Sequence, residues 1–385
     1  MVQVIDKLNN SKILVEETLS LDEIREALEC KLYVPDIRVK DKIIDEFLLY
    51  LKNKFSDPEY KIKSFIGYID KKISGIVICQ INPNYKSYGR KCGTFGWLSA
   101  DSFDICKKLL KKCENFIKKN KIRKIRGPIN FPKSLGGIGI QNMGFKEKML
   151  YGVAYSNSDS QLISYLESIG YQRESEYTCV YVAEKTWNKG KKIDKNIIFR
   201  YFPLRELYEY IEDIKNLANN SLYEILPDTS GIIRIHEFFD TFSKIPKKFY
   251  EINEKFNQKN YSEIPQFIET WETCNLRKTE PFAPMAFDKS TDELVGILLG
   301  LPDLYEDWAG KAITRCNVDT AMVKKGYFGK GIFSALNNLG QLTTNLYGIN
   351  YFEGTSIWSN NSRAISTIFP HCDPIRKHYV FQKRI

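Results

Sequence analysis

The chain has 385 residues, of which 43% are hydrophobic and 27% are charged. This composition is globular and excludes wholesale disorder, and the length favours two domains of about 190 residues each. The longest apolar run, residues 294–301, is too short to span a membrane, and the amino terminus carries no apolar signal core. Nine scattered cysteines are typical of reduced thiols, so we expect a cytoplasmic protein.

The formal charge is +10 at neutral pH. Such a charge favours anionic partners, namely phosphorylated cofactors, nucleic acid or an anionic membrane surface, without choosing among them. A compositional bias of the genome towards Lys, Ile and Asn explains the charge equally well.

The first half of the sequence predicts a mixed α and β domain. Ser20 and Glu23 form a capping box at the start of the first helix. A short turn joins two strands into a hairpin. The predicted helices are residues 21–28, 43–51, 103–119 and 160–169, and the predicted strands are 63–69, 75–81, 93–98 and 177–183.

The predicted helix 103–119 places six lysines opposite its apolar residues. One interpretation is a stripe that contacts nucleic acid or a membrane. We favour an ordinary amphipathic helix with a solvated face, because no specific nucleic-acid motif accompanies the charge and aromatic residues do not alternate with the lysines.

Residues 184–196 are polar and charged, and they are the predicted linker between domains 1–187 and 197–385. The second half repeats the plan of the first, which indicates an internal duplication. Its predicted helices are residues 204–219, 234–242, 246–257, 262–274, 332–347 and one from about 362, and its predicted strands are 197–201, 282–287, 294–301, 313–323, 351–358 and 378–383.

One segment has the pattern of an anion site. Strand 313–323 leads into Gly329-Lys330-Gly331, and a helix follows at once. Glycines allow consecutive backbone N–H groups to face an anion, and the start of a helix adds positive potential. Such an element suits a pyrophosphate, although a purely structural turn is the alternative.

This loop resembles the one that binds the cofactor pyrophosphate in the GNAT superfamily of acyl-CoA-dependent N-acyltransferases. The family pattern Arg/Gln-x-x-Gly-x-Gly/Ala falls on residues 328–333, where Gly331 matches and Phe328 and Phe333 depart from it. A second family pattern, Asn-x-x-Ala-x-x-x-Tyr, falls on Asn361 and Ala364, with Ile368 in place of the tyrosine.

The whole chain is similar to tandem GNAT proteins, a group that includes ceramide-synthase-like N-acyltransferases. The segments that carry this similarity are Phe65-Ile-Gly-Tyr-Ile-Asp70, Thr94-Phe-Gly-Trp-Leu98, Arg126-Gly-Pro-Ile-Asn130, Leu166-Glu-Ser-Ile-Gly-Tyr171, Leu301-Pro-Asp303 and Ile357-Trp-Ser-Asn-Asn361. The resemblance implies an α/β fold of two tandem GNAT-like domains, each a mixed, mostly antiparallel sheet flanked by helices. The first domain has no glycine loop, so we expect a degenerate structural or acceptor-binding domain there.

The resemblance also implies an acetyl-CoA or longer acyl-CoA co-substrate in the second domain. The implied cofactor-binding residues are Met322, Val323, Phe328, Gly329, Lys330, Gly331, Ile332, Phe333 and Asn361. Glu353 is the candidate general base and Tyr379 the candidate acid for the leaving thiolate; the alternatives are a surface carboxylate and a buried strand tyrosine. Three scattered histidines predict no metal site.

The acceptor is expected to be a small-molecule or lipid amine. Aromatic residues between positions 201 and 271 suit an apolar groove for a long chain, or equally the core of a helical layer. Two other functions stay open: a non-catalytic, degenerate binding protein, and a transferase that takes an acyl or aminoacyl group from charged tRNA. Peripheral contact with an anionic membrane and the oligomeric state also stay open.

Overall fold

The computed structural model describes residues 12–182, 193–221, 227–228, 232–250, 282–361 and 372–385. These residues form two compact units. Unit one holds the described residues up to Met149, together with Val153–Tyr177 and Arg376–Ile385. Unit two holds Leu150–Gly152 and the described residues from Thr178 to Ile375.

Unit one is built on a mostly antiparallel sheet. Its strands are β1 (Ile13–Thr18), β2 (Lys61–Ile69), β3 (Lys72–Ile81), β4 (Lys86–Ser87), β5 (Arg90–Lys91), β6 (Gly93–Ala100), β7 (Lys124–Gly127), β8 (Ile140–Met143), the first part of β9 (Gln172–Tyr181) and, from the carboxyl end, β15 (Pro374–Arg384). The order across the sheet is β1-β2-β3-β6-β7-β15-β9, and β8 pairs with β15. Among the strand pairs whose register the structure describes in this sheet, only β6 and β7 run parallel.

Helices cover this sheet, and serine side chains cap two of them, Ser20 at the first and Ser102 at the third. The helices are α1 (Leu21–Lys31), α2 (Lys40–Phe55), α3 (Phe103–Lys119), α4 (Lys133–Gly136) and α5 (Leu162–Ser168). The predicted cap of α1 is present, because the Ser20 side chain accepts a hydrogen bond from the Glu23 N–H at 3.3 Å. The apolar side of α3 packs with Phe65, Val77 and Phe95 in the core of the unit.

Unit two repeats the arrangement. Its strands are β10 (Ile197–Pro203), β11 (Phe282–Asp288), β12 (Leu294–Pro302), β13 (Arg315–Val323) and β14 (Tyr351–Trp358). They lie in the order β14-β13-β12-β11-β10, and only β13 and β14 run parallel. The helices are α6 (Ile211–Ser221), α7 (Ile232–Phe242), α8 (Leu304–Trp308) and α9 (Ile332–Leu346).

Each unit includes a strand segment from the other half of the chain. The last strand, β15, lies in unit one, where Phe381 pairs with Gly127 of β7. The end of β9 lies in unit two beside β14, and the Val182 N–H donates to the Phe352 carbonyl at 2.9 Å. The boundary between residues 187 and 197 stays a prediction, since 183–192 lie outside the described residues.

Most predicted elements are present. The structure adds strands β1, β4, β5, β7 and β8 and helices α4 and α8, which the sequence analysis did not predict, and several predicted elements differ in type or bounds. Residues 204–210 form a 3₁₀ helix before α6 begins, and residues 247–250 form another within the predicted helix 246–257. Strand β9 begins five residues earlier than predicted, because its polar residues are paired: Arg173 with Glu167 and Glu176 with Lys377. The predicted helices 262–274 and beyond 362 lie outside the described residues. No helix in the described ranges is long and apolar enough to cross a membrane.

Candidate functional site

Strand β13 of unit two contains a β-bulge. Leu299 of β12 pairs with Thr320, whereas the next residue, Gly300, pairs with Val318. Asp319 is therefore the extra residue of β13, and the strand bends at this point. A bulge in a central strand changes the direction of the backbone groups that follow it, which suits a site that binds a ligand through its main chain.

The parallel neighbour of β13 separates from it just beyond the bulge. The pairing of β13 with β14 runs from Arg315 and Tyr351 to Val318 and Gly354. Both strands continue, β13 to Val323 and β14 to Trp358. Their described residues form no further β pair after Val318 and Gly354. The two strands therefore leave a notch between them, with peptide groups of both on its sides.

A glycine loop follows β13 in the sequence and leads into α9. Gly329 and Gly331 have φ values of 82° and 78°, a conformation that L side chains rarely adopt. The Ala335 N–H donates to the Gly331 carbonyl at 3.1 Å, so the three N–H groups before it, at residues 332–334, precede the first helical hydrogen bond of α9. This is the arrangement of donors that binds an anion at a helix start.

The predicted cofactor residues have two kinds of surroundings. Phe328 and Gly329 are exposed, and Lys330 is half-buried. Met322 and Ile332 are buried, whereas Val323 and Phe333 pack against the core of unit two. The buried Met322 and Ile332 could meet a ligand only through their main chain, whereas the side chains of Val323 and Phe333 are partly exposed.

Two lysines near the loop are paired with acids of the same unit. Lys330 lies 3.5 Å from the Asp194 carboxylate and 4.6 Å from the Tyr327 ring centroid. The Asp194 N–H also donates to the Lys330 carbonyl at 3.2 Å. Lys324 forms a second ion pair with Glu293. Hydrogen bonds from Asn196 and then the charge of Lys330 lower the pKa of Asp194.

The loop is also fixed by a hydrogen bond to the β11–β12 turn. The Tyr327 hydroxyl donates to the Asp288 carboxylate at 3.0 Å. Hydrogen bonds from Ser290, followed by the one from Tyr327, lower the pKa of Asp288 to about 2. Asp288 therefore stays ionised at neutral pH and keeps this bond.

Glu353 is fully buried, so the alternative of a surface carboxylate is wrong. It lies on β14 opposite Asn317 of β13. The Tyr351 hydroxyl donates to the Glu353 carboxylate at 2.9 Å. On the same face, the Thr355 hydroxyl donates to the Asn317 side-chain oxygen at 2.5 Å. A hydrogen-bonded group of polar side chains thus lies where β13 and β14 last pair.

A buried ion pair extends this polar group. Arg315 lies 3.2 Å from the Asp303 carboxylate, and its guanidinium is 4.6 Å from the Tyr351 ring centroid. Asp303 also accepts the Tyr151 N–H at 3.0 Å. Burial, only partly offset by Arg315, raises the pKa of Asp303 to about 7. The Glu353 cluster is defined here as Asp303, Arg315, Asn317, Tyr351, Glu353 and Thr355.

The peptide at Tyr151 is held on both sides by this cluster. Its N–H donates to Asp303, and its carbonyl accepts the Asn317 side-chain amide at 2.8 Å. The Tyr151 ring packs edge-on against Tyr305 and Trp308. The sequence analysis did not identify the other members of the Glu353 cluster. The alternation of polar residues at 315 and 317, and at 351, 353 and 355, could have placed four of them on one sheet face with Glu353.

Two other predicted residues lie elsewhere. Tyr379 belongs to β15 in unit one, where it pairs with Ile140 and packs against the core, with the Arg173 guanidinium 4.7 Å from its ring centroid. The Asn361 N–H donates to the Trp358 carbonyl at 2.8 Å, in the turn after β14. Ala364 and Ile368 lie outside the described residues.

The aromatic residues of α7 favour the core interpretation over a groove. Phe238, Phe239 and Phe242 are all buried, and Phe238 and Phe239 each pack against Phe242. Tyr208 is exposed, and its ring packs at a tilt against Phe239 with ring centroids 4.3 Å apart. The aromatic residues between 251 and 271 lie outside the described residues.

Unit one has the counterpart of the bulge and of the parallel pair, but its notch is filled. Ile76 and Ile78 of β3 pair with Ser99 and Gly96, which leaves two residues of β6 opposite one of β3. The chain after β7 continues along β6 in the same direction: the Ile129 N–H donates to the Phe95 carbonyl at 2.8 Å.

Asn130 completes this filling. Its side-chain oxygen accepts the Trp97 N–H at 2.7 Å. A Cβ atom added at Gly96 would lie 2.2 Å from the Ile129 carbonyl oxygen, so glycine is needed for this close approach. The main-chain donor of the bulge in unit one is therefore bound by the chain itself.

Solved structures resemble the whole of this chain. A tandem GNAT protein from the clavulanic acid biosynthesis pathway, solved without AcCoA, has a TM-score of 0.52 at 9% identity, over 97% of this chain and 98% of that one. A glucosamine N-acetyltransferase region of a fungal multi-domain β-N-acetylglucosaminidase has a TM-score of 0.54 at 12% identity, over 97% and 38%. A GCN5-related N-acetyltransferase from Anabaena variabilis ATCC 29413 has a TM-score of 0.50 at 8% identity, over 96% and 73%.

The chain has a GNAT fold. The expected α/β class, with a large, mostly antiparallel sheet flanked by helices, is thereby confirmed. No model of a known protein family matches the sequence, and no curated protein matches it either. At these identities the likeness establishes the fold. Among the described residues, no group of His, Cys, Asp or Glu could hold a metal ion.

Proposed function

We propose that unit two binds an acyl-CoA and transfers its acetyl or longer acyl group to an amine. The observation that carries the proposal is the notch between β13 and β14, next to the bulge and followed by a glycine loop at the start of α9. Unit one has the same bulge but fills its notch with residues 129–131, so it is assigned a structural role.

The residues of unit two fit the proposed ligand. The N–H groups at the start of α9 and the backbone turned by Gly329 and Gly331 suit the pyrophosphate. The peptide groups of β13 and β14 beyond Val318 and Gly354 suit the amide groups of the pantetheine arm. When bound, the thioester supplies an activated acyl group.

Proton transfer is assigned to Tyr351 and Glu353. The amine nitrogen forms a bond to the acyl carbon, the carbon–sulfur bond breaks, and the amine proton leaves. Because Glu353 is buried and accepts the Tyr351 hydroxyl, the half-buried Tyr351 takes the amine proton while its own passes to Glu353. Return of the proton along the same pair to the thiolate gives free CoA and the amide. Tyr379 stays a prediction as an alternative acid.

The first test is binding. Thermal shift and calorimetric titration with CoA, acetyl-CoA and a long-chain acyl-CoA should give stabilisation by at least one thioester, at one molecule per chain. A ligand at about 100 times its Kd stabilises by roughly 2.7 kcal/mol. Two molecules per chain would contradict the assignment of unit one, and no binding by any of the three would remove the proposal.

The second test is turnover. Release of free CoA is measured with a thiol reagent, in the presence and absence of a panel of small-molecule and lipid amines. Amine-dependent release is the expected result. Tight binding of a thioester without release for any amine would favour the non-catalytic binding protein, for which Phe328 and Phe333 already depart from the family pattern.

A further inference from the structure

The positive charge of the chain is concentrated in one short segment of unit one. Residues 103–124 contain nine Lys or Arg against two acidic residues, a net of seven positive charges out of the ten of the whole chain. A genomic bias in composition would spread such an excess along the sequence. Its concentration on α3 and the turn after it requires another explanation.

The structure places these charges on one outward face of α3. We define the lysine face as Lys107, Lys108, Lys111, Lys112, Lys118 and Lys119, and all six side chains are exposed. At about 100° per residue they lie within an arc of roughly 140°, and at 1.5 Å per residue they extend over about 18 Å. Lys121 and Arg123, also exposed, follow the end of the helix.

The acids of the helix neutralise little of this charge. Glu114 is buried and lies 2.8 Å from Lys383, and its distance to Lys111 is 3.8 Å. Asp104 is exposed in the first turn. Within the lysine face, Lys108 donates to the Ile13 carbonyl and Lys107 lies 5.8 Å from the Phe103 ring centroid. Neither contact removes charge.

We propose that the lysine face adsorbs to an anionic lipid surface. The six cations are all lysine, and lysine is a point charge that needs no fixed partner geometry, whereas the arginine fork is favoured for phosphates at defined positions. Within α3 no aromatic side chain is exposed, so the face offers nothing on which bases could stack. The apolar side of α3 is buried in the core, so contact is electrostatic and without insertion.

This inference does not depend on the proposed function. An acyl donor and acceptor could be bound in unit two whether or not unit one touches a membrane. The experiments are therefore independent: binding of vesicles is measured without any thioester, and binding of CoA is measured without vesicles.

The test is co-sedimentation with phosphatidylcholine vesicles that contain about a third phosphatidylglycerol, at about 0.05 M and about 0.5 M salt. We expect binding at low salt, loss at high salt, and none to pure phosphatidylcholine vesicles. Each lysine near such a surface contributes about a fivefold factor. K107E/K112E/K118E/K119E should therefore bind at least about 100-fold more weakly, with a smaller loss for the matching Lys→Gln variant.

The matched control reverses four exposed lysines on other elements, K52E/K71E/K146E/K289E, with the same change in net charge. It should retain most of the vesicle binding. Equal losses in both variants would overturn the proposal, because net charge alone would then explain the binding. Absence of vesicle binding, or tighter binding of the wild-type chain to a mixed tRNA pool than to the vesicles, would also overturn it. The Lys→Gln variant covers a folding defect, since it removes repulsion between new acids.

Discussion

The two units share a β-bulge in the strand that runs parallel to the next one, but they differ in what lies beside the bulge. The bulge is at Trp97 and Leu98 in β6 and at Asp319 in β13. In unit one the Trp97 N–H is bound by Asn130, whereas in unit two the described pairing of β13 with β14 ends at Val318 and Gly354 and a glycine loop follows β13. The same backbone device therefore serves packing in one unit and suits a ligand in the other.

The difference depends on a few residues after the parallel strand. In unit one Gly127 and the close approach to Gly96 allow residues 129–131 to stay against β6 beyond the bulge. In unit two β14 continues as a strand to Trp358, but its described pairing with β13 ends at Gly354. The bulge is present in both units. The path of the chain after β7 or along β14 decides whether the space beside the bulge is filled.

The largest effect compares two buried glutamates, Glu353 of unit two and Glu114 of unit one. Glu353→Gln should lower kcat by about 10²–10⁴-fold, because the amide cannot take the proton that Tyr351 passes on. Steady-state release of CoA measures the effect, with the Kd of CoA unchanged. Glu114→Gln is the control, since Glu114 is buried and paired with Lys383 of unit one. Equal losses in both variants, or an unchanged rate across pH for the first, would show that Glu353 has no role in catalysis.

The next effect concerns the glycine loop. Gly329→Val should weaken the binding of CoA at least about 30-fold, because a β-branched residue is strained at φ 82° and the backbone must turn its N–H groups away. Gly348→Val is matched to it: φ is 84°, no atom lies within 4 Å of an added Cβ at either glycine, and the site is at the other end of α9. Calorimetric titration should find normal affinity in the control. Similar affinities for both variants would mean that the loop does not bind CoA.

Local sequence patterns predict some of these features and leave others out. The bounds of α3 and β14, the two hairpins and the glycine loop follow from local patterns, such as the alternation at 351–358 and the cap at Ser102. The position of β15 in unit one could not follow from them, because strand pairing over 250 residues leaves no local trace. For the same reason the sequence placed Tyr379 with Glu353 and did not bring Tyr151 to Asp303 and Asn317.

The two units should respond to pH in opposite directions. The folded-state pKa of Asp303 in unit two is raised to about 7, so its contribution is present at low pH and is lost as the pH rises towards 7. The folded-state pKa of His378 in unit one is lowered to about 4, chiefly by burial, so its contribution is lost as the pH falls below the usual histidine pKa. Between pH 5 and 7 each change is on the order of 2 kcal/mol.

Differences between variants isolate these contributions. Relative to wild type, Asp303→Asn should be more favourable at pH 7 than at pH 5, and His378→Asn more favourable at pH 5 than at pH 7. Unfolding in denaturant at pH 5 and pH 7 measures the free energy of unfolding of each variant relative to wild type. The difference between the two pH values cancels any destabilisation by the substitution that does not depend on pH. Changes of the same sign in the two variants would contradict the opposite pKa shifts assigned to the two buried groups.

The smallest effect concerns Asp194. Its carboxylate pairs with Lys330 of the loop that we assign to the pyrophosphate. An incoming phosphate must share or displace this acid at Lys330, so Asp194→Asn should tighten the binding of CoA about two- to fivefold at low salt and less at high salt. The asparagine can keep the acceptor for the Asn196 N–H and, with its own backbone N–H, the bond to the Lys330 carbonyl. Asp292→Asn is the control, since that carboxylate pairs with Arg200 at 2.6 Å. Weaker binding of CoA by Asp194→Asn would instead show that the Asp194 carboxylate holds the loop in its binding conformation. The loop of unit two would then be positioned by a side chain of the same unit, as Asn130 binds the bulge in unit one.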